Sequence, residues 1–237
     1  MPGDDQIFEV RDLTKTYRTV AGEVRALRGV DLDIRSGELL VLLGPSGSGK
    51  STLLNILGGL DRATSGQALF RGVDLVGASE RELTQYRRRS VGFIFQFFNL
   101  SSSLTARENV ELITEIAERP MDPAQALGLV GLQDRMDHFP AELSGGQQQR
   151  VAVARAIAKR PDVMFCDEPT GSLDSASGVQ VLQAITDTAR EVGTTTMIVT
   201  HNAVVAEIAD RVIRFSDGAV AEVLVNAHRR APRELAW

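Results

Sequence analysis

The sequence predicts an α/β fold, a mixed sheet core with a block of helices inserted into it. Three observations carry that prediction. Apolar runs of strand length alternate with segments of helical period, the pattern of strands joined by crossover helices. The runs at 39–43 (LLVLL) and 163–166 (VMFC) are apolar at every position, as expected of strands buried on both faces. Between residues 96 and 151 the strand-length runs stop, and helical spacing with proline punctuation takes over.

Element by element, residues 7–13 and 24–34 contain alternating apolar positions and read as strands. The run at 39–43 ends at Gly44 and reads as a buried parallel strand. From Lys50 to residue 60 the spacing turns helical. Short strand candidates at 67–70 and 91–95 flank a polar piece rich in Arg and Glu. Residues 104–160 read mostly as helix, punctuated by Pro120, Pro123 and Pro140. After Pro161 come a buried strand at 163–166, a helix at 175–192 and a strand at 194–200. Residues 210–215 and 219–225 flank Asp217-Gly218, a tight-hairpin dipeptide. The tail 228–237 is polar, and its last residue, Trp237, has no expected role.

Composition narrows the function. A chain of 237 residues with 43% hydrophobic content can bury a sizeable core as one domain. The formal net charge of -5 offers no basic face for nucleic acid, so no nucleic-acid partner is expected. The densest basic cluster, Arg87-Arg88-Arg89, reads as solvated surface. A single cysteine, Cys166, lies in an apolar run, which rules out an internal disulfide and points to a reducing compartment. The first ten residues lack the pattern of a signal peptide, and no apolar run reaches the roughly 18 residues of a membrane span. A soluble chain without direct membrane insertion is the expectation.

Two stretches look built for phosphate. Gly44-Pro45-Ser46-Gly47-Ser48-Gly49-Lys50-Ser51-Thr52 fits GxxxxGK[ST] and sits between a buried strand and a helix, the context that this P-loop motif requires. Its glycines let backbone N–H groups turn toward phosphates, Lys50 reaches the β and γ phosphates, and Ser51 offers a hydroxyl to Mg²⁺. Asp167 and Glu168 end the strand at 163–166, where side chains emerge at the carboxyl edge of a parallel sheet. Asp167 is expected to hold Mg²⁺ and Glu168 to polarise the water that attacks the γ-phosphate. The second stretch, LSGGQQQR at 143–150, again has a Ser and two Gly before a helical run. One chain of this size has no evident use for two cradles.

The motifs taken together resolve this. GPSGSGKST, Gln96, LSGGQ at 143–147, VMFCDE at 163–168, Ser172-Leu173-Asp174 and His201 resemble, in order, the motif set of ATP-binding cassette (ABC) ATPases. The resemblance runs from Tyr17 to the closing hairpin. It implies a P-loop NTPase of the ABC type. Residues 1–95 and 152–237 would form a RecA-like core with an N-terminal antiparallel β part, and 96–151 an α-helical signature subdomain. It also implies a head-to-tail dimer around two ATP, in which Ser144, Gly145, Gly146 and Gln147 close over the partner's nucleotide. By the same resemblance, Tyr17 would stack on adenine and Gln96 would reach Mg²⁺ and the water. His201 would contact the γ-phosphate, and Ser172 and Asp174 would lie at the dimer seam. The cofactors implied are ATP and Mg²⁺.

Four further stretches, at 59–66, 92–100, 108–110 and 167–174, resemble the branch that serves lipoprotein release and macrolide export. This implies a homodimer at the cytoplasmic face of the bacterial inner membrane, bound peripherally. Its partner would be a membrane subunit with four spans and a large extracytoplasmic domain, and its task the export or extraction of a lipophilic substrate or lipoprotein. The rival expectation is an ATPase of a non-transport signalling complex of the cell-division type. Four Phe lie within 93–98, and a strand cannot hide both Phe97 and Phe98. These two and Leu100 are expected to line the groove that receives the membrane subunit.

Overall fold

The computed structural model describes residues 6–20 and 22–236; Trp237 and the first five residues lie outside them. The chain opens with two long strands, β1 (Gln6–Thr19) and β2 (Gly22–Arg35), paired antiparallel. Together with β4 (Ser65–Phe70) and β5 (Val73–Asp74) they form a four-stranded antiparallel sheet in the order β2-β1-β4-β5.

The central sheet has six strands. They are β3 (Leu39–Leu43), β6 (Val91–Phe95), β7 (Val163–Asp167), β8 (Thr195–Thr200), β9 (Arg211–Ser216) and β10 (Ala219–Val225), in the order β10-β9-β3-β8-β7-β6. Five run parallel, and β10 closes one edge as the antiparallel arm of the expected hairpin. The unbroken apolar runs have the expected cause, burial on both faces. Leu40 and Leu42 of β3 face one core with Phe8, Leu53 and Phe165, between the two sheets and α1 (Lys50–Leu57). Leu39 and Val41 face the other, where Met164, Cys166 and Ile198 meet the helices. Cys166 is fully buried, and burial pushes its thiol pKa well up, so it packs as a small apolar residue.

The helical block is shorter than its spacing suggested. It holds α3 (Ala106–Thr114), α4 (Pro123–Leu129) and α5 (Gly145–Ile157), separated by turns. Proline is the cause: Pro123 and Pro140 each open a helical turn, where their missing N–H costs nothing. Helix α5 is continuous across residues 151 and 152 and carries its buried face, Val151 to Ala154, from the insertion into the core.

Three features were not foreseen. The Arg/Glu-rich piece is a helix, α2 (Glu80–Ser90), opened by a reciprocal Ser79–Glu82 capping box that was visible as Ser-x-x-Glu. Its arginines are not simply solvated. Arg87 donates to Gly59 O, Arg88 to Ile116 O, and Arg89 pairs with Glu118 at 2.6 Å. The tail is anchored too: Arg229 pairs with Asp210 at 3.0 Å, Arg230 with Glu207 at 2.7 Å, and Leu235 is buried beside helix α6 (Ser175–Val192).

Candidate active site

The sheet register assembles the site. Leu43 lies opposite Thr200, Val199 opposite Asp167, and Asp167 opposite Phe95. The residues that follow these strand ends therefore emerge side by side: Gly44 after β3, His201 after β8, Glu168 after β7 and Gln96 after β6. They line the carboxyl edge of the parallel strands, where ligands of open α/β sheets bind.

The first cradle runs from Gly44 to Gly49, and α1 begins at Lys50. Gly47 and Gly49 have φ of +78° and +102°, which a residue with a Cβ rarely adopts. A Cβ on Gly49 would lie 2.3 Å from Ala26 O, and one on Gly44 2.2 Å from Phe215 O. The loop is thus held against β2 and β9. Among the described residues no side chain caps α1, so its first N–H groups are left for an anion.

Lys50 is buried, and its Nζ donates to Gly44 O at 2.7 Å and Pro45 O at 2.8 Å. Burial lowers its pKa, while the charges of Glu168 and Asp167 work against that shift. Ser51 Oγ donates to Asp167 Oδ1 at 2.9 Å. Burial raises the Asp167 pKa, and the Ser51 hydroxyl counters it. A cleft of about 320 Å³ opens beside the loop, lined among others by Val24, Ala26, Gly47, Lys50, Thr52 and Glu168. A second of about 340 Å³, lined by Gln96, Phe97, Asp167 and Glu168, shares Ser51 and Glu168 with it.

Glu168 is held from several sides. His201 Nδ1 lies 2.9 Å from Oε1, and Thr200 Oγ1 donates to Oε2 at 3.2 Å. Its backbone has φ +48°, a left-handed conformation that costs a non-glycine residue about 1–3 kcal/mol. Backbone bonds hold that turn: Glu168 N donates to Val199 O at 2.9 Å and Gly171 N to Glu168 O at 3.0 Å. The Gln96 side chain lies against Gly171, where a Cβ would come within 3.1 Å of Nε2. Ser172 Oγ donates to Gln96 O at 3.1 Å.

Tyr17 is partly exposed, and its hydroxyl donates to Asp61 Oδ2 at 2.6 Å. Lys15 Nζ lies 4.6 Å from the ring centroid and 2.6 Å from Asp61 Oδ1. Burial and the bond to Asp61 raise the Tyr17 pKa. For Asp61, burial pushes upward but is outweighed by Lys15, Tyr17 and the Arg62 N–H, and its pKa falls.

The residues of the second cradle lie elsewhere. Ser144 is the N-cap of α5, in a reciprocal box with Gln147: Ser144 Oγ accepts from Gln147 N at 3.3 Å, and Ser144 N donates to Gln147 Oε1 at 2.8 Å. Gly145 is half-buried and Gly146 buried. Asp174 caps α6, accepting from Ser177 N at 3.0 Å and Ser177 Oγ at 2.7 Å.

Of the three docking candidates, Phe97 is 72% exposed, Phe98 is half-buried and Leu100 packs on the helical core. They do not form one exposed set. Sequence reasoning missed Asp61, Thr200 and Gln149. Gln149 is fully buried, and Nε2 donates to Phe95 O at 2.9 Å and Pro169 O at 2.8 Å. A polar residue on the buried stripe of α5 was the available signal.

Residues 27–171 match the family model described as ABC transporter. The chain belongs to the ABC transporter family. It is an ATP-binding, P-loop ATPase of the ABC type. It is 44% identical over 219 residues to the lipoprotein-releasing system ATP-binding protein LolD 2 of Caulobacter vibrioides, covering 90% of this chain and 96% of that one. It is also 44% identical over 221 residues to the macrolide export ATP-binding/permease protein MacB of Marinobacter nauticus, covering 91% of this chain but 34% of MacB. The chain thus spans nearly all of the one relative and about a third of the other. Among solved structures it resembles the ATP-binding cassette MJ0796 in a dimeric post-hydrolysis state bound to ADP and Pi. The TM-score is 0.83 at 39% identity, over 92% of this chain and 98% of that one. The ABC ATPase architecture expected from the motifs is the one observed.

Proposed function

We propose that two copies of this chain close head to tail around two ATP and drive a membrane subunit that handles a lipophilic substrate or lipoprotein outside the cytoplasm. One observation carries the dimer. The catalytic edge and the Ser144 helix start are on one chain, yet none of the residues lining the two clefts comes from 144–147. A second copy, turned head to tail, would bring its Ser144, Gly145, Gly146 and Gln147 to the γ-phosphate. The dimeric MJ0796 cassette supports this arrangement.

In the proposed site, ATP lies along the cradle with its base near Tyr17. Lys50 leaves the carbonyls of Gly44 and Pro45 for phosphate oxygens, a charge-assisted exchange. Ser51 and Asp167, with Gln96, would hold Mg²⁺, an ion that takes few protein ligands and keeps water and phosphate oxygens. Held there, the ion would supply positive charge to offset the charge that develops on the transferred γ-phosphoryl group. Glu168 orients the attacking water, and His201 and Thr200 keep its carboxylate aimed. The γ-phosphate meets both faces only in the closed dimer, so ATP selects closure by its differential contacts and hydrolysis releases it.

Equal identity to LolD 2 and MacB supports a membrane partner and does not separate the two cargoes; in this reading that partner has few spans and a large extracytoplasmic domain. Among the described residues no helix is long and apolar enough to cross a membrane; in this reading the chain attaches peripherally at the inner membrane's cytoplasmic face. Phe97, 72% exposed, is the apolar anchor for the partner in this reading, with Phe98 and Leu100 lining the same stretch of chain. The helical segment 96–151 relays the contact.

The test is recovery from native membranes with tagged Glu168→Gln protein, ATP and Mg²⁺. Co-purification of a four-span membrane protein with a large outer domain supports the proposal. Recovery of a membrane protein without such a domain, or of soluble proteins only, overturns the partner assignment.

A further inference from the structure

Helix α5 is tied at its middle to the catalytic edge. The two Gln149 N–H groups reach the carbonyl of Phe95, which precedes Gln96, and that of Pro169, which follows Glu168. Both acceptors are carbonyls, so the amide can face them only with its nitrogen. Its Oε1 has no hydrogen-bond partner among the described residues. Leaving an acceptor buried and unpaired is unfavourable, and an apolar side chain of similar volume would avoid it. What the glutamine offers in return is the two donors.

Five residues toward the start of the same helix, about 7.5 Å along its axis, stands its N-cap, Ser144. Toward the other end, Arg155 donates to Asn99 O at 2.6 Å and Phe98 O at 3.1 Å. The segment 95–99 is therefore carried by α5 at both ends, and the left-handed Glu168 turn is attached through Pro169.

We infer that Gln149 is a positioning residue that couples the two ATP sites through one chain. When the partner's nucleotide draws in Ser144 to Gly146, the clasp passes the movement to Gln96 and Glu168 of the chain's own site. A rigid helix tied to the catalytic edge through two side chains, Gln149 and Arg155, suits this role, because it moves as a unit rather than bending. The inference rests on the dimer reading above.

Gln149→Met keeps the volume and removes the donors. In a folded variant, kcat is expected to fall at least tenfold while ATP affinity at the first cradle stays within threefold. A packing role alone would lower the melting temperature without that split, and an unchanged kcat overturns the inference. Transmission is read by hydrogen exchange in a mixed pair. One isotope-labelled chain carries Lys50→Ala, and ATP is kept below the level at which that variant's own cradle binds it; the other carries Glu168→Gln.

With ATP and Mg²⁺, exchange at 144–148 of the labelled chain should slow as the pair closes. Exchange at 96–99 and 168–171 of that chain should slow at least threefold as well. Adding Gln149→Met to the labelled chain should keep the first effect and abolish the second. Loss of neither, or no second effect with Gln149 intact, overturns the coupling. Failure of 144–148 to slow even when both chains retain Lys50 would overturn the dimer reading instead. Should Gln149→Met not fold, the wild-type amide decides. Its side-chain N–H protons are expected to exchange at least tenfold more slowly than those of exposed Gln125, and equal rates would refute the clasp.

Discussion

A Cβ placed on Gly146 would lie 2.9 Å from the Cβ of Ser177. The start of α5 thus rests directly on the first turn of α6, and Ser177 is itself fixed by two bonds to Asp174. Those bonds, from the Ser177 N–H and hydroxyl, hold the Asp174 carboxyl below its usual pKa, so the cap stays charged.

Gly146→Ala forces one of these helix starts to move. Overpacking of this kind costs about 1–3 kcal/mol. The variant should melt several degrees lower and hydrolyse ATP at least tenfold more slowly, because Ser144 moves with its helix. Unchanged melting and ATPase rates would mean that the contact yields freely.

Lys50→Ala removes the cation from the cradle. ATP affinity should fall at least tenfold, as titrated with a fluorescent analogue. Retained affinity would show that the backbone N–H groups suffice.

Tyr17 separates ring from hydroxyl. Lys15 covers one ring face, and the proposed function puts the base on the other. Tyr17→Ala should weaken ATP binding about tenfold, in keeping with 1–3 kcal/mol for stacking on an aromatic ring. Tyr17→Phe, which loses only the bond to Asp61, should change it less than threefold. Equal losses in the two variants would move the role to the hydroxyl.

Lys159 gives a pH test of stability. Burial lowers its pKa from 10.5 to about 8, and Nζ donates to Arg87 O at 2.7 Å. The folded chain therefore binds this proton less tightly than the unfolded one. Its contribution is fully present above pH 10.5 and is lost as pH falls through about 8. The melting temperature of the native chain relative to Lys159→Met should rise between pH 8 and 10. A flat difference in thermal melts over that range would contradict this sign.

Glu168 depends on its neighbour. His201→Ala should leave ATP binding within threefold and lower kcat at least tenfold in steady-state assays. A normal rate would leave Thr200 and the backbone turn as the only means of aiming the carboxylate.

Most of the strands, the P-loop and the acidic pair were legible in the sequence alone, because each is written in local pattern; the two-residue β5 and the far half of β1 were not. Apolar runs such as LLVLL follow from burial on two faces, and GPSGSGKST from the backbone turn that phosphates demand. The start of α2 carried a local signal too, Ser-x-x-Glu, although the helix was not foreseen. Tertiary structure alone decided which residues meet. That Gln149 clasps Phe95 and Pro169, that Lys15 lies over Tyr17, and that Arg229 and Arg230 pair with Asp210 and Glu207 all depend on contacts across long stretches of chain. Such contacts leave no local period, because a side chain's partner is set by how strands order in the sheet and how helices pack upon it. Ser144 is the limiting case: its helix cap was readable in sequence, but its packing, with Gly146 resting on Ser177 of α6, depended on how the two helices meet.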